Sequence, residues 1–177
     1  MTDVSLSLVR PHLRYRDSFI SAVREFERHD RRRPMWDYHH LRENFDEYIS
    51  LRRAYADDPP AGYVPQTDYW LIVNDTTFAG QISIRHHLNE SLRYYGGHIG
   101  YEIRPSMRRR GYGTRQLALA LPRAWALGLA RVLITCDDDN AGSIRIVEAN
   151  GGELYDIVQL KHHPVAVRRY WITRPAG

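Results

Sequence analysis

The passage from Ile99 to Thr135 constrains this chain most. Ile99, Tyr101 and Ile103 alternate with Gly100, Glu102 and Arg104, which is the two-residue period of a strand, and Pro105 closes it. A basic loop follows, Arg108-Arg109-Arg110-Gly111-Tyr112-Gly113-Thr114, with glycine at two alternate positions. From Thr114 to Leu127, Leu117, Leu121 and Trp125 share one helical stripe, and Gly128 stops it. Pro122 inside that stripe predicts a kink rather than an end, at a cost of about 3 kcal/mol. Arg131 to Thr135 is an apolar run of the buried-strand type. Strand, helix and strand in this order imply neighbouring parallel strands joined by a right-handed crossover. The chain is therefore expected to be α/β, with helices packed on a sheet.

The flanking segments fit that class. Val4, Leu6 and Leu8 alternate with serines and predict a first strand. Phe19, Ile20, Val23 and Phe26 recur at helical spacing behind Asp17, a candidate N-cap. Phe45, Tyr48, Ile49 and Tyr55 predict a second helix, and the Pro- and Gly-containing stretch 57–62 a loop. Tyr69 to Val73 and Phe78 to Ile84, joined by Asn74-Asp75-Thr76, predict a hairpin. Residues 88–96 read as a loop. Asn140 is placed to cap a helix carrying Ile144 and Val147, ended by Asn150-Gly151-Gly152, and strands are expected at 153–160 and 165–172. The total is about seven strands and four helices. No linker divides them, so residues 1–177 are expected to form one domain.

Composition excludes several classes. No apolar run approaches the roughly 18 residues needed to span a membrane. The opening MTDVSLSLVR has an early acid and no apolar core, unlike a secretory signal. Cys136 is the only cysteine, so no intrachain disulfide is expected, which agrees with a cytoplasmic protein. Of 25 basic residues only Lys161 is lysine, and the net charge is +4. Arginine pairs bidentately with phosphate, and two clusters stand out, Arg31-Arg32-Arg33 and Arg108-Arg109-Arg110. A basic balance alone would suit nucleic acid. However, the chain has neither a basic amphipathic helix nor an RNA-binding aromatic signature, so no nucleic-acid partner is expected. The pairs His39-His40, His86-His87 and His162-His163 suggest metal binding. Adjacent strand residues face opposite sides, and no cysteine or H-x-x-x-H completes a site, so no metal is expected.

The basic loop carries the chemistry. Gly111 and Gly113 allow close approach of a phosphate to the backbone. The first N–H groups of the following helix, its dipole and the flanking arginines all favour an anion there. A dinucleotide fingerprint would need a third glycine and a later acid, and a Walker loop would need Gly-Lys-Ser/Thr. Neither is present.

Arg108-x-x-Gly111-x-Gly113 resembles the pyrophosphate loop, Q/R-x-x-G-x-G/A, of the GNAT acyltransferases. Ile103-x-Pro105 stands where that family carries its V-x-P strand end. Asn140-x-x-Ser143 followed by Asn150-Gly151-Gly152 is similar to its N-x-x-A/S…G-F segment. Gly97 to Tyr101, Thr135 to Asp137 and the terminal Arg169 to Ile172 resemble a bacterial branch without an agreed substrate. The resemblance implies a mixed, mostly antiparallel sheet splayed between strands four and five, with the pantetheine arm of acetyl-coenzyme A in the gap. Amides of residues 109–114 would bind the pyrophosphate. The backbone of Ile103 would pair with the arm, and an N–H near it would polarise the thioester carbonyl. Arg104, Arg108, Arg109, Arg110, Gly111, Tyr112, Gly113 and Thr114 complete that stretch, and Asn140 and Ser143 would meet the pantetheine. An amine would attack the thioester directly. Many members place a tyrosine acid seven residues after the asparagine, where this chain has Val147. Family members are often homodimers.

Glu102, beside the implied splay, is a candidate base, and His98 lies on the same alternating face. Asp137 heads Asp137-Asp138-Asp139, which could attract a cationic amine or complement a helix N-terminus. Cys136 and Tyr170 are expected in the core. The leading expectation is an acetyl-coenzyme-A-dependent N-acetyltransferase acting on a small-molecule or peptide amine. The alternative is a non-catalytic acyl-coenzyme-A-binding regulator.

Overall fold

A tight turn at Asn74-Asp75-Thr76 sets the first sheet. Asn74 and Asp75 both take positive φ, 48° and 59°, which matches the twist of a tight hairpin and suits Asn and Asp. They join β2 (Gln66–Val73) to β3 (Thr77–Arg85), and β1 (Leu6–Val9) and β4 (Ile99–Ile103) flank this hairpin in an antiparallel sheet ordered β1-β2-β3-β4. A second antiparallel sheet holds β5 (Arg131–Asp137), β6 (Glu153–Val158) and β7 (Val167–Thr173), with β7 in the middle. The helices are α1 (Arg16–His29), α2 (Tyr38–Glu43), α3 (Phe45–Ala54), α4 (Glu90–Tyr94), α5 (Tyr112–Ala126) and α6 (Ala141–Glu148). The computed structural model describes residues 4–29 and 38–176. The Arg31–Arg33 cluster lies outside the described residues.

Helices cover both faces of the first sheet. On one face, α1 and α3 bury an aromatic cluster in which Phe19 stacks on Trp70 at 4.6 Å and meets Phe78 edge-on at 5.0 Å. On the other, Leu117, Ala120 and Ala124 of α5 pack against Leu71, Ile82, Ile84 and Ile99, and the same core continues to Ile134 and Tyr170 of the second sheet. Tyr170 and Cys136 are buried, as expected. Among the described residues no helix is long and apolar enough to cross a membrane.

Several local expectations are corrected. The fourth and fifth strands, expected as parallel neighbours, share no ladder: β4 ends one sheet and β5 ends the other, the splay that the resemblance implied. Helix α1 begins before Asp17, behind a 3-10 turn at Leu13–Tyr15 whose cap is the His12 ring, Nδ1 accepting Arg14 N–H at 3.0 Å. Residues 88–96 are not all loop, since Asn89 caps the short α4 by accepting Leu92 N–H at 3.0 Å. Helix α2 escaped the periodicity because six residues hold one buried side chain, Leu41. Helix α5, by contrast, does not end at Pro122, as expected: it runs on to Ala126, so the apolar stripe outweighs the missing donor.

Candidate acyl-carrier site

The site begins at the open edge of β4. Residues alternate in facing their antiparallel partner. Arg104 N–H donates to Ala79 C=O at 2.8 Å, and His98 C=O accepts Arg85 N–H at 2.7 Å. The even-numbered residues of β4 therefore bond to β3, and the backbone groups of Tyr101 and Ile103 turn toward the gap before β5. The Ile103 carbonyl is met by Arg108 Nε at 3.0 Å.

The loop after β4 is shaped by backbone dihedrals. Arg109 and Gly111 both take positive φ, 63° and 75°. Left-handed residues at alternate positions curl successive N–H groups toward one point, an anion-binding nest. The first helical bond of α5 is Arg115 N–H to Gly111 C=O at 3.2 Å, so the amides ahead of it point out of the helix end. The two glycines do different jobs. Gly111 has open space around it but needs its dihedral, whereas a methyl at Gly113 would collide with Ile146 of α6. The second glycine lets α5 approach α6 closely.

A cavity of about 570 Å³ opens over this nest. Strand β4 contributes Tyr101, Glu102 and Ile103, the loop Met107, Arg108, Arg109 and Gly111, and α5 Tyr112, Gly113 and Thr114. The start of α6 contributes Asn140, Gly142, Ser143, Arg145 and Ile146. Most of the residues singled out from sequence thus meet at one cavity. Two of the residues expected at the cofactor have side chains that stand apart from this cavity. Arg104 turns its side chain away from the cavity, onto α1: its guanidinium pairs with Glu25 at 2.5 Å and donates to Ser21 Oγ at 3.0 Å. Burial alone would raise the Glu25 carboxyl, but bonds from Arg104 and Ser106 outweigh it and hold it at about 2. Arg110 is exposed and does not line the cavity. Asn140 caps α6, its Oδ1 accepting Ser143 N–H at 3.0 Å.

A smaller cavity of about 270 Å³ lies beyond, lined by Tyr95, Gly100, Thr135, Cys136 and Asp137 among others. The two cavities share Tyr101, Asn140 and Ser143. Tyr101 was missed in the sequence reading, although it stands two residues before Ile103 on the same strand face. Its hydroxyl donates to Ser143 C=O at 3.4 Å, and burial pushes its pKa up to about 12. Met107, Gly142, Arg145 and Ile146 were missed as well, because only the tertiary fold brings them to the loop.

The catalytic candidates separate. Glu102 lines the larger cavity and accepts Gln81 Nε2 at 2.6 Å, from the residue opposite it on β3. Asp137 lines the smaller cavity, 2.7 Å from His163 Nε2. His98 lines neither cavity. It is 7% exposed, and its Nδ1 accepts Leu133 N–H at 2.8 Å. Burial, seconded by Arg85, Arg93 and Arg131, lowers its pKa to about 4. With its Nδ1 lone pair taken and its position outside both cavities, His98 is not placed to act as a base on substrate. Burial pushes the Cys136 thiol up to about 11, which disfavours the thiolate. Val147 is buried and leaves no hydroxyl at that helix position. Among the described residues no group of three or more His, Cys, Asp or Glu is arranged to hold a metal.

Two sheets parted at their edge strands, with an amide nest at the mouth of the gap, are the layout of an acyltransferase domain. The chain belongs to the GNAT acetyltransferase family: the model of an acetyltransferase (GNAT) domain matches residues 8–153. Among solved structures, Mycobacterium smegmatis RimJ in complex with CoA-disulfide is similar over 95% of this chain and 81% of that one, with 18% identity and a TM-score of 0.71. An acetyl transferase from Salmonella typhimurium that modifies the N-terminal serine of 50S ribosomal subunit protein L7/L12 is similar over 98% and 100%, with 17% identity and a TM-score of 0.66. Vibrio cholerae spermidine N-acetyltransferase in complex with CoA and spermine is similar over 95% of each chain, with 13% identity and a TM-score of 0.63. At these identities the likeness is one of fold. No curated protein matches the chain in sequence.

Proposed function

We propose that this protein transfers an acetyl group from acetyl-coenzyme A to a primary amine of a small molecule or peptide, by direct attack within a ternary complex. The observation that carries this is the nest at Arg109 and Gly111, opening into the cavity beside the free edge of β4. Amides of residues 109–114 would hold the diphosphate, with Arg108 and Arg109 adding charge. The open edge at Ile103 and Tyr101 would pair with the amides of the pantetheine arm, as an added strand does. Acetyl-coenzyme A supplies the activated carbonyl.

The chain's own groups then divide the work. Glu102, held by Gln81, takes a proton from the amine directly or through one water. Tyr101, common to both cavities, would supply the hydroxyl that meets the departing sulfur. Its raised pKa keeps it protonated as a hydrogen-bond donor. Asp137, across the shared wall, adds negative charge on the side we assign to the acceptor. Acceptors named for similar structures are a ribosomal protein's N-terminal serine and spermidine, both amines.

Thiol release from acetyl-coenzyme A, measured with a panel of polyamines, amino-terminal peptides and small amines, tests the proposal. Release that depends on one amine class supports it. Tight binding of coenzyme A with no release on any amine would instead favour a regulator of the same fold, the reading that buried Val147 supports.

A further inference from the structure

We infer that His98 is the strap that stops β4 and β5 from zipping into one sheet and so sets the opening in which the carrier's arm would lie. Its consequence for binding rests on the coenzyme A reading above; the strap itself does not.

His98, the residue just before β4, bonds to both sheets. Its C=O stays with β3, accepting Arg85 N–H at 2.7 Å, while its N–H crosses to Leu133 C=O at 2.7 Å. Its imidazole Nδ1 then accepts Leu133 N–H at 2.8 Å. One residue thus takes both backbone groups of Leu133. To extend a ladder, Leu133 N–H would need a main-chain carbonyl on the neighbouring strand. The nearby carbonyls are also occupied by a side chain: Arg85 Nη1 donates to Gly96 C=O at 2.9 Å and to Gly97 C=O at 3.0 Å. Gly96 N–H donates to Thr135 Oγ1 at 2.9 Å rather than to a backbone oxygen. Three side chains therefore satisfy the groups a continuous sheet would use. At the same point the backbones are so close that a methyl at Gly97 would overlap the Leu133 carbonyl. This is the vertex of the splay, and the ladder does not resume beyond it.

The imidazole must be neutral, with its proton on Nε2, to accept at Nδ1. Burial keeps it so, and the charged groups around it, Arg85, Arg93 and Arg131, are cationic. Removing the ring leaves Leu133 N–H either unmet or free to take the Gly96 carbonyl, the partner a parallel ladder would give it. Both outcomes alter the gap at its first residue. Asparagine restores an acceptor near the Nδ1 position, whereas glutamine places its oxygen one bond further out.

The test compares wild type with His98→Leu, His98→Asn and His98→Gln by calorimetry with coenzyme A, well below each melting temperature. We expect His98→Leu to weaken binding at least ~10-fold, the scale of one buried donor left unmet, and His98→Asn to stay within about 3-fold of wild type. A residue that only stabilised the fold would lower the melting temperature and leave the affinity of the folded protein alone. That result overturns the inference. Where His98→Leu does not fold, the amides decide: Asn near wild type with Gln weaker supports the strap, and equal affinities refute it. Should wild type itself ignore coenzyme A, the carrier reading fails on its own. The ligand-free protein then judges the strap. A slowly exchanging Leu133 amide, scalar-coupled to the imidazole, supports it, and a freely exchanging one overturns it.

Discussion

The loop that forms the nest is anchored from outside, and Glu25 on α1 is the anchor. Its Oε1 accepts Arg104 Nε at 2.8 Å and Nη2 at 2.5 Å, and its Oε2 accepts Ser106 N–H at 3.1 Å. The perturbation is Glu25→Gln. The carboxyl falls from an ordinary 4.5 to about 2 on folding. Such a depressed pKa contributes stability that is fully present above 4.5 and lost as pH falls through about 2. Roughly 2.5 units correspond to about 3 kcal/mol in full. The pair keeps some solvent contact, with side chains 11% and 15% exposed, so we discount this to about 1–2 kcal/mol. For a chain of this length that is a melting point lower by about 2–8 °C at pH 7. Melts of both proteins from pH 7 to pH 3 provide the assay. The gap should shrink with acid, to roughly 40% of its neutral value at pH 3, because the unfolded carboxylate is by then protonated. A gap that is absent at pH 7, or the same at both pH values, refutes the reasoning.

Three further outcomes are expected. Gly111→Val forces a β-branched residue to φ near 75° and should raise the KM for acetyl-coenzyme A by ~10-fold or more with little loss of kcat, as steady-state kinetics would show. Glu102→Gln should lower turnover by about 100-fold and flatten the alkaline rise of rate with pH, and an unchanged pH profile removes Glu102 from the mechanism. Tyr101→Phe should leave coenzyme A affinity within about 2-fold while lowering kcat about 10-fold, the worth of one hydrogen bond to a developing thiolate; a lowered affinity with unchanged kcat would instead mark a packing role.

What could be read from the sequence was what the local backbone dictates. Pro105 ends β4, Gly111 supplies a positive dihedral and the stripe through Leu117 faces the sheet, and each of these follows from residues within one turn or strand. The hairpin at Asn74-Asp75 is legible for the same reason. What could not be read depends on partners far along the chain. Arg104 looked like part of a phosphate-binding cluster, yet just past the end of β4 its side chain is drawn to Glu25, 79 positions away. His98 looked like a base because its residue type suits one. Its role was decided by Leu133, on a strand that the crossover rule describes only as a parallel neighbour. Arg145 and Ile146 reach the cavity only because Gly113 lets α6 come near.

The arginines bear on how the carrier would be held. Sequence shows a run of positive charge around the loop, and charge alone suggests that electrostatics does the binding. In the fold part of that charge is redirected. Arg104 is paired with Glu25, Arg108 is bonded through Nε to the Ile103 carbonyl, and Arg110 lies off the cavity. What remains at the cavity is the side chains of Arg108, Arg109 and Arg145 together with main chain set by two left-handed residues and the end of α5. Amide dipoles fixed in place keep their geometry when salt screens the exposed side chains. On this account salt should weaken the protein's hold on a diphosphate, but less steeply than it would at a surface built on arginine side chains alone.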